Sequence, residues 1–242
     1  KALIMSASIV AVGAGRMGRG IAMAYAIRGQ RVTVVDFKPR EASQFQALHH
    51  DIDQELNTAL RQLADLDLFE AAQIDVIRQR IQVVDLAHAG QALETAGIIY
   101  EGVPETLDAK RDALNRICKD APGTAIIAST TSTMLASELA GMVSCPERFM
   151  NAHWLNPAYV IPLVEISAHD QTSPQALAAL KESLTGIGKV PVQCACSPGF
   201  IVPRLQTLIM NEAARMVEEG VATVEEIDRA TRYGLGFRFA SI

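Results

Sequence analysis

Short apolar runs rich in β-branched residues alternate with longer stretches of helical spacing over the first two-thirds of this chain. "SIVAVGAG" (8–15) predicts a strand running into a glycine turn. Met17, Ile21, Ala24 and Ile27 then recur at helical spacing up to Gly29, a natural stop. "RVTVVD" (31–36) predicts the next strand, and a long helical region follows from Glu41 through "EAAQIDVIRQR" (70–80). After it come strand "IQVVD", a helix over 87–96, strand "GIIYEG", a helix over 107–119 and strand "TAIIAS". Near-continuous apolar strands separated by helices are what a parallel sheet covered on both faces requires. The expected class is α/β, a Rossmann-type, mostly parallel sheet with helices on both faces.

The pattern then changes. "RFMNAHWL", "PLVEIS" and "VPVQCA" predict strands with a single helix among them, over 174–186, opened by Ser173 as cap and Pro174 in the first turn. From Pro198 onward the spacing is helical throughout. Ile201, Leu205, Leu208, Ile209, Ala213, Met216 and Val217 form one apolar stripe, and "TVEE" (223–226) is a capping box for a further helix. The expected organisation is a domain over 1–197 and the start of a helical domain over 198–242. A segment that short is too small for a core of its own. The sequence closes on "GLGFRFASI", so the expectation is a helical domain cut short or completed by something outside this chain.

Composition narrows the function classes. At 242 residues and 49% hydrophobic the chain can bury a full core. A net charge of -5 gives no basic footprint, so nucleic acid is not an expected partner. Stretches such as "TAIIAS" and "VIPLVEI" are far too short to cross a bilayer. The opening "ALIMSASIVAVGAG" reads as the start of a fold rather than a signal peptide. Cys118, Cys145, Cys194 and Cys196 show neither CxxC nor metal-ligand spacing, so free thiols in a reducing, cytoplasmic setting and no metal site are expected.

The first candidate site is the turn "VGAGRMGRG". Gly13-x-Gly15-x-x-Gly18 follows a strand and opens a helix: Gly13 for the tight turn, Gly15 for close backbone approach to a pyrophosphate, Gly18 for helix–strand packing. The backbone from Gly13 through Ala14, Gly15, Arg16 and Met17 to Gly18 supplies N–H groups at a helix N-terminus. Asp36 closes the second strand and is placed to accept hydrogen bonds from ribose hydroxyls, which favours NAD. Lys38 and Arg40 just beyond are placed to grip a 2′-phosphate instead, which would favour NADP.

The second is "HWLNPAYVIPLVEIS" (153–167), where Glu165 stands inside an apolar run that should be buried. A buried carboxylate needs a partner, and His153 is the candidate.

With these residues in place the chain resembles the 3-hydroxyacyl-CoA dehydrogenase family. The carrying motifs are "VGAGRMGRGIA", "YEGVPETLDAK", "ASTTST", "RFMNAHWLNP", "PLVE" and "SPGFIVPRL", in that order along nearly the whole length. The resemblance implies reversible oxidation of an L-3-hydroxyacyl-CoA to the 3-ketoacyl-CoA, with hydride passing to NAD. By the same resemblance His153 is the catalytic base, Glu165 its carboxylate partner, and Ser132 a contact to substrate and cofactor. Asn156, the asparagine of the HxxNP motif, is a cofactor contact, Glu105 and Lys110 are a cofactor-side pair, and a homodimer is expected.

Three features depart from the family pattern. Pro203 stands where the family usually has an asparagine that contacts substrate. Residues 47–64, where related enzymes hold CoA with lysines and a serine, contain Arg61 as their only Lys or Arg. "NPAYVIPLVE" and "GLGFRF" are closer to the branch that includes L-gulonate 3-dehydrogenase and L-carnitine dehydrogenase, which implies a small free 3-hydroxy acid as the alternative substrate. A non-catalytic dinucleotide-binding protein is the third reading, and the retained His153, Glu165, Ser132 and Asn156 stand against it.

Overall fold

The computed structural model describes residues 8–236 and residue 239. The first three motifs of the apolar alternation become β1 (Ser8–Val12), α1 (Arg16–Ile27) and β2 (Val32–Val35). They are followed by α2 (Ala42–Asp65), α3 (Ile74–Arg78), β3 (Ile81–Val84), α4 (Ala89–Glu94), β4 (Ala96–Glu101), α5 (Leu107–Asp120), β5 (Ile126–Ser129) and α6 (Ala136–Ala140). Then come β6 (Phe149–Trp154), β7 (Leu163–Ser167), α7 (Pro174–Gly186) and β8 (Val190–Cys194). Among the described residues eight strands form one sheet in the order β3-β2-β1-β4-β5-β6-β7-β8. Every neighbouring pair is parallel except β6 and β7, which are antiparallel.

Successive strand residues face opposite sides of the sheet, so each strand feeds two cores. Ile9 and Ala11 of β1 pack with Ile21 and Tyr25 of α1, Ile52, Leu56 and Leu60 of α2, and Leu180 and Leu184 of α7. Val10 and Val12 pack on the other face with Leu93 of α4, Leu114 and Ile117 of α5, and Leu139 of α6. Each such aliphatic side chain contributes about 1.5–3 kcal/mol by leaving water. Under the first face the Tyr25 and Tyr100 hydroxyls meet at 2.7 Å, and Tyr25 also reaches Ser183 at 3.0 Å. Burial pushes the Tyr25 phenol up to about 12, so it is neutral at physiological pH.

Helix ends follow local chemistry. Thr106 caps α5 by accepting from the Ala109 N–H at 3.3 Å, and Ser173 caps α7 by accepting from Ala176 at 3.1 Å. The long helical region expected from 41 to 80 breaks in the middle. Asp67 takes a left-handed backbone (φ 59°), and the Leu68 N–H turns back to the Leu63 carbonyl at 3.1 Å. Leu66 and Leu68 keep the apolar spacing across that break, which is why the pattern read as one helix. The helix expected over 87–96 is likewise a 3₁₀ turn, Leu86–His88, capped by Asp85, followed by the short α4.

The chain divides into two compact units, residues 1–198 and 199–242. Within the second, α8 (Val202–Glu218) carries Pro203 in its first turn, where a missing N–H leaves no helical bond unmade. α9 (Val224–Ala230) is capped by Thr223, which accepts from the Glu226 N–H at 3.3 Å. Leu205, Leu208 and Val217 of the α8 stripe are exposed. Most of the closing "GFRFASI" lies outside the described residues. Among the described residues no helix is long and apolar enough to cross a membrane.

Candidate active site

The nucleotide loop sits where the strand order reverses, between the carboxyl ends of β1 and β4, which is where open α/β sheets bind ligands. Gly13 has φ +106°, and a Cβ there would stand 2.5 Å from the Gly102 carbonyl oxygen. A Cβ on Gly18 would stand 2.0 Å from the Gly13 oxygen. Those two glycines are fixed by packing within the chain. Gly15 is different, because a Cβ there would meet nothing within 4 Å. Its bareness clears the floor of a cavity of about 410 Å³ lined by Gly13, Ala14, Gly15, Asp36, Val103 and Pro104, among others. A phosphate-bearing group fits this floor, with the N-terminus of α1 directed at it.

Asp36 is nearly buried at the end of β2. Its Oδ2 accepts from Arg40 Nε at 2.5 Å and its Oδ1 from the Lys38 N–H at 3.4 Å. The Arg40 guanidinium, expected as a candidate for a 2′-phosphate, is therefore held by the Asp36 carboxylate.

A row of buried polar residues crosses the sheet on the α5 side. The register sets Glu101 beside Ser129, Ser129 beside Asn151, and Asn151 beside Ser167. Glu101 Oε2 accepts from Ser129 Oγ at 2.6 Å, and its Oε1 accepts from the Val103 N–H at 2.8 Å and from Lys110 Nζ at 2.9 Å. Lys110 also lies 3.4 Å from Glu105 Oε2. Glu105 Oε1 in turn gathers the 131–133 loop, accepting from the Ser132 N–H at 2.9 Å, from the Thr133 hydroxyl at 2.9 Å, and from the Thr131 hydroxyl. Burial pushes the Glu105 carboxyl up, but the Thr131 hydroxyl, the Lys110 charge and the remaining donors outweigh it, and the net direction is down. It is an anion at neutral pH.

The same face carries the pair that the sequence singled out. Antiparallel register places His153 of β6 directly opposite Glu165 of β7. Nδ1 of the buried imidazole lies 2.9 Å from Oε2 of the fully buried Glu165. A carboxylate accepts, so Nδ1 is the donor in this contact and Nε2 is the other nitrogen of an imidazole whose ring is fixed by Glu165. The Cys194 thiol on β8 is pushed up, by burial first and the Glu165 charge second, so it stays protonated beside the pair.

The expected residues are thus brought together in three groups: Gly13, Ala14, Gly15 and Asp36 around one cavity; Glu105, Lys110 and Ser132 in one network; His153 with Glu165. The Met17 side chain packs against the core at the head of α1, its backbone in the place the motif expects. Two expectations need correction. Lys110 is fully buried, and its Nζ reaches Glu101, Glu105 and the Val103 carbonyl rather than the nucleotide cavity itself. Asn156 does not line the nucleotide cavity; it lines a separate one of about 190 Å³ with Arg16, Arg19 and Tyr159. Glu101, Ser129 and Asn151 were missed, although Glu101 in "IIYE" carries the same signal as Glu165 in "LVEI", a carboxylate inside an apolar strand. Among the described residues no group of three or more His, Cys, Asp or Glu is placed to hold a metal ion.

The geometry agrees with comparisons to known proteins. The family model described as 3-hydroxyacyl-CoA dehydrogenase, NAD binding domain, matches residues 8–197, and the one for the C-terminal domain matches residues 199–242. The chain is 30% identical over 240 residues to a 5-formyl-3-hydroxy-2-methylpyridine 4-carboxylate 5-dehydrogenase of Mesorhizobium japonicum, covering 98% of this chain and 74% of that protein. A crystal structure of an enzyme of that name superposes with a TM-score of 0.84. An L-carnitine dehydrogenase of Streptomyces coelicolor is 34% identical, covering 96% of this chain and 69% of that one. The crystal structure of (S)-3-hydroxybutyryl-CoA dehydrogenase from Ralstonia eutropha is 31% identical with a TM-score of 0.82, covering 95% of this chain and 77% of that one.

Proposed function

The chain belongs to the 3-hydroxyacyl-CoA dehydrogenase family, and from that premise we propose that this NAD-dependent oxidoreductase oxidises the 3-hydroxyl of a small free 3-hydroxy carboxylate, with His153 as base. The observation that carries the chemistry is the buried His153–Glu165 contact at 2.9 Å. Bound NAD supplies the hydride acceptor. The hydroxyl proton passes to Nε2 of His153 as the carbon–oxygen double bond forms. Glu165 holds the ring in the tautomer that leaves Nε2 basic and stabilises the imidazolium once the proton has arrived. Ser132 is presented by the Glu105 carboxylate, which holds its N–H, and its hydroxyl is proposed to orient the substrate oxygen.

Support for a small acid comes from α2. Over Ala42–Asp65 it carries Asp51, Asp53, Glu55 and Asp65, of which Asp53 and Glu55 are held by Arg78 and Arg19, and one basic residue other than histidine, so the helix offers Arg61 alone to the phosphates of a CoA group. Relatives named for L-carnitine and for a pyridine carboxylate point the same way. The second reading is a short-chain L-3-hydroxyacyl-CoA, favoured by the likeness to the (S)-3-hydroxybutyryl-CoA dehydrogenase structure. Oxidation of NADH with acetoacetate and with acetoacetyl-CoA in one assay, and reduction of NAD with L-carnitine and L-gulonate, separates the two. Higher kcat/KM for the free acids is the expected result. Turnover confined to the CoA ester would transfer the proposal to the second reading.

Cofactor preference has its own test. Asp36→Ala removes the proposed ribose acceptor and releases the Arg40 guanidinium. NADH binding is expected to weaken on the order of tenfold to a hundredfold, the equivalent of about 1.5–3 kcal/mol for hydrogen bonds to a charged group, while NADPH binding strengthens. Fluorescence titration of both nucleotides reads the ratio directly, and an unchanged ratio would remove Asp36 from that role.

A further inference from the structure

A further cavity, of about 450 Å³, lies among the C-terminal ends of α1 and α2, the 155–162 connection and the turn before β8. Its wall is mostly hydrocarbon: Leu63, Leu66, Leu68, Phe69, Val160 and Ile187. Leu66 and Leu68 are 71% and 64% exposed, an apolar surface left facing water beside a concave site. Among the described residues the charged side chains in the lining are Arg28 and Lys189, both cations. Among the described residues neither has a carboxylate partner.

Lys189 is the unusual member. It is 7% exposed, and its Nζ donates to the Ala158 carbonyl at 2.6 Å and the Ile161 carbonyl at 2.8 Å, while lying 5.6 Å from the centre of the Trp154 ring. These are neutral partners for a buried ammonium. Arg28 comes close on the same wall: one guanidinium nitrogen would stand 3.2 Å from a Cβ on Gly188, so the bare Gly188 makes room for it. Burial first, and the Arg28 charge second, pull Lys189 down to about 8. Two cations share the end of an apolar pocket with no negative charge to offset them.

We propose that this cavity binds a medium-chain aliphatic carboxylate, its charge between Arg28 and Lys189 and its chain along Leu63, Leu66, Leu68 and Phe69. The volume falls in the usual range for small-molecule sites, about 300–1,000 Å³. The site is distinct from the catalytic pair. Trp154 and His153 are adjacent on β6 and so face opposite sides of the sheet, and the cavity lies on the Trp154 side.

Isothermal titration of NADH-saturated protein with sodium octanoate tests this, with emission of Trp154, the only tryptophan in the chain, as a local reporter. One saturable site is expected, with a shift of Trp154 emission. Arg28→Gln should weaken octanoate about tenfold, the usual order for removing one charged hydrogen-bond partner, and 1-octanol should bind more weakly than octanoate. Arg28 is exposed, so that variant keeps the test sound if Lys189→Met fails to fold. Absence of saturable heat, octanoate binding untouched by Arg28→Gln, or octanol binding as tightly as octanoate would each overturn the proposal. No turnover is measured, so the outcome is independent of the substrate assay.

Discussion

His153→Gln is expected to lower kcat by about 10²–10⁴-fold, the usual contribution of a positioned general base, while leaving NADH affinity unchanged. Glutamine keeps a side-chain N–H for the Glu165 carboxylate, so the buried acid retains a donor and the fold is preserved. What is lost is the ability to accept and carry a proton. The unchanged nucleotide affinity follows from the architecture: the cavity at Gly13–Gly15 and Asp36 is built from the ends of β1, β2 and β4, whereas the pair is built from β6 and β7. Glu165→Gln should fall between this variant and the parent, because the imidazole keeps a hydrogen-bond acceptor but loses the negative charge that favours the imidazolium. Steady-state kinetics with a substrate identified as above, beside a nucleotide titration, checks both. Turnover of the His153→Gln protein at the parent rate would show that another group takes the proton.

The largest stability effect is expected from Lys110→Met. Lys110 and Glu101 are both fully buried and 2.9 Å apart, and breaking such a pair from one side typically costs about 3–5 kcal/mol because the remaining charge is stranded. A fall in melting temperature on the order of 10 °C follows for a unit of this size. Glu105 also loses its cation, so the 131–133 loop that it gathers should loosen and turnover should drop even where the fold survives. Adding Glu101→Gln should recover much of the stability, since the amide can still accept from Ser129 or the Val103 N–H without a buried charge. Denaturant unfolding of the single and double variants measures this. A loss below about 1 kcal/mol, the level of a surface ion pair, would mean that the pair is hydrated in solution.

The legible parts of the molecule were those where one residue type has one physical use. Gly13 and Gly18 read correctly because a Cβ at either collides with backbone. Asp36 was placed at the end of β2 by its distance from the glycines, and it does follow that strand and line the same cavity as Gly13 and Gly15. Glu165 read correctly because a carboxylate in an apolar strand demands a partner. Glu101 obeys the same logic and was passed over, since the motif drew attention to Glu105 and Lys110 alone. The end of α2 was hidden by Leu66 and Leu68, which continue the helical apolar spacing although the cavity, not the core, lies beside them. Asn156 was grouped with the cofactor by its motif, yet local sequence does not say which side of the loop after β6 it lines.

The antiparallel step between β6 and β7 has a consequence for how such enzymes diversify. Opposed residues on two antiparallel strands are fixed by parity: sliding β7 by one position would turn Glu165 to the wrong side of the sheet. The ladder itself, from Asn151 with Ser167 to Trp154 with Val164, enforces that match. The connection over 155–162 is outside it. Insertions and substitutions there leave the His153–Glu165 pairing intact while reshaping the cavity that Asn156 and Tyr159 line. The buried pair and the contour beside it are therefore set by different parts of the chain, the first by a strand ladder and the second by a connection that can change without altering that ladder.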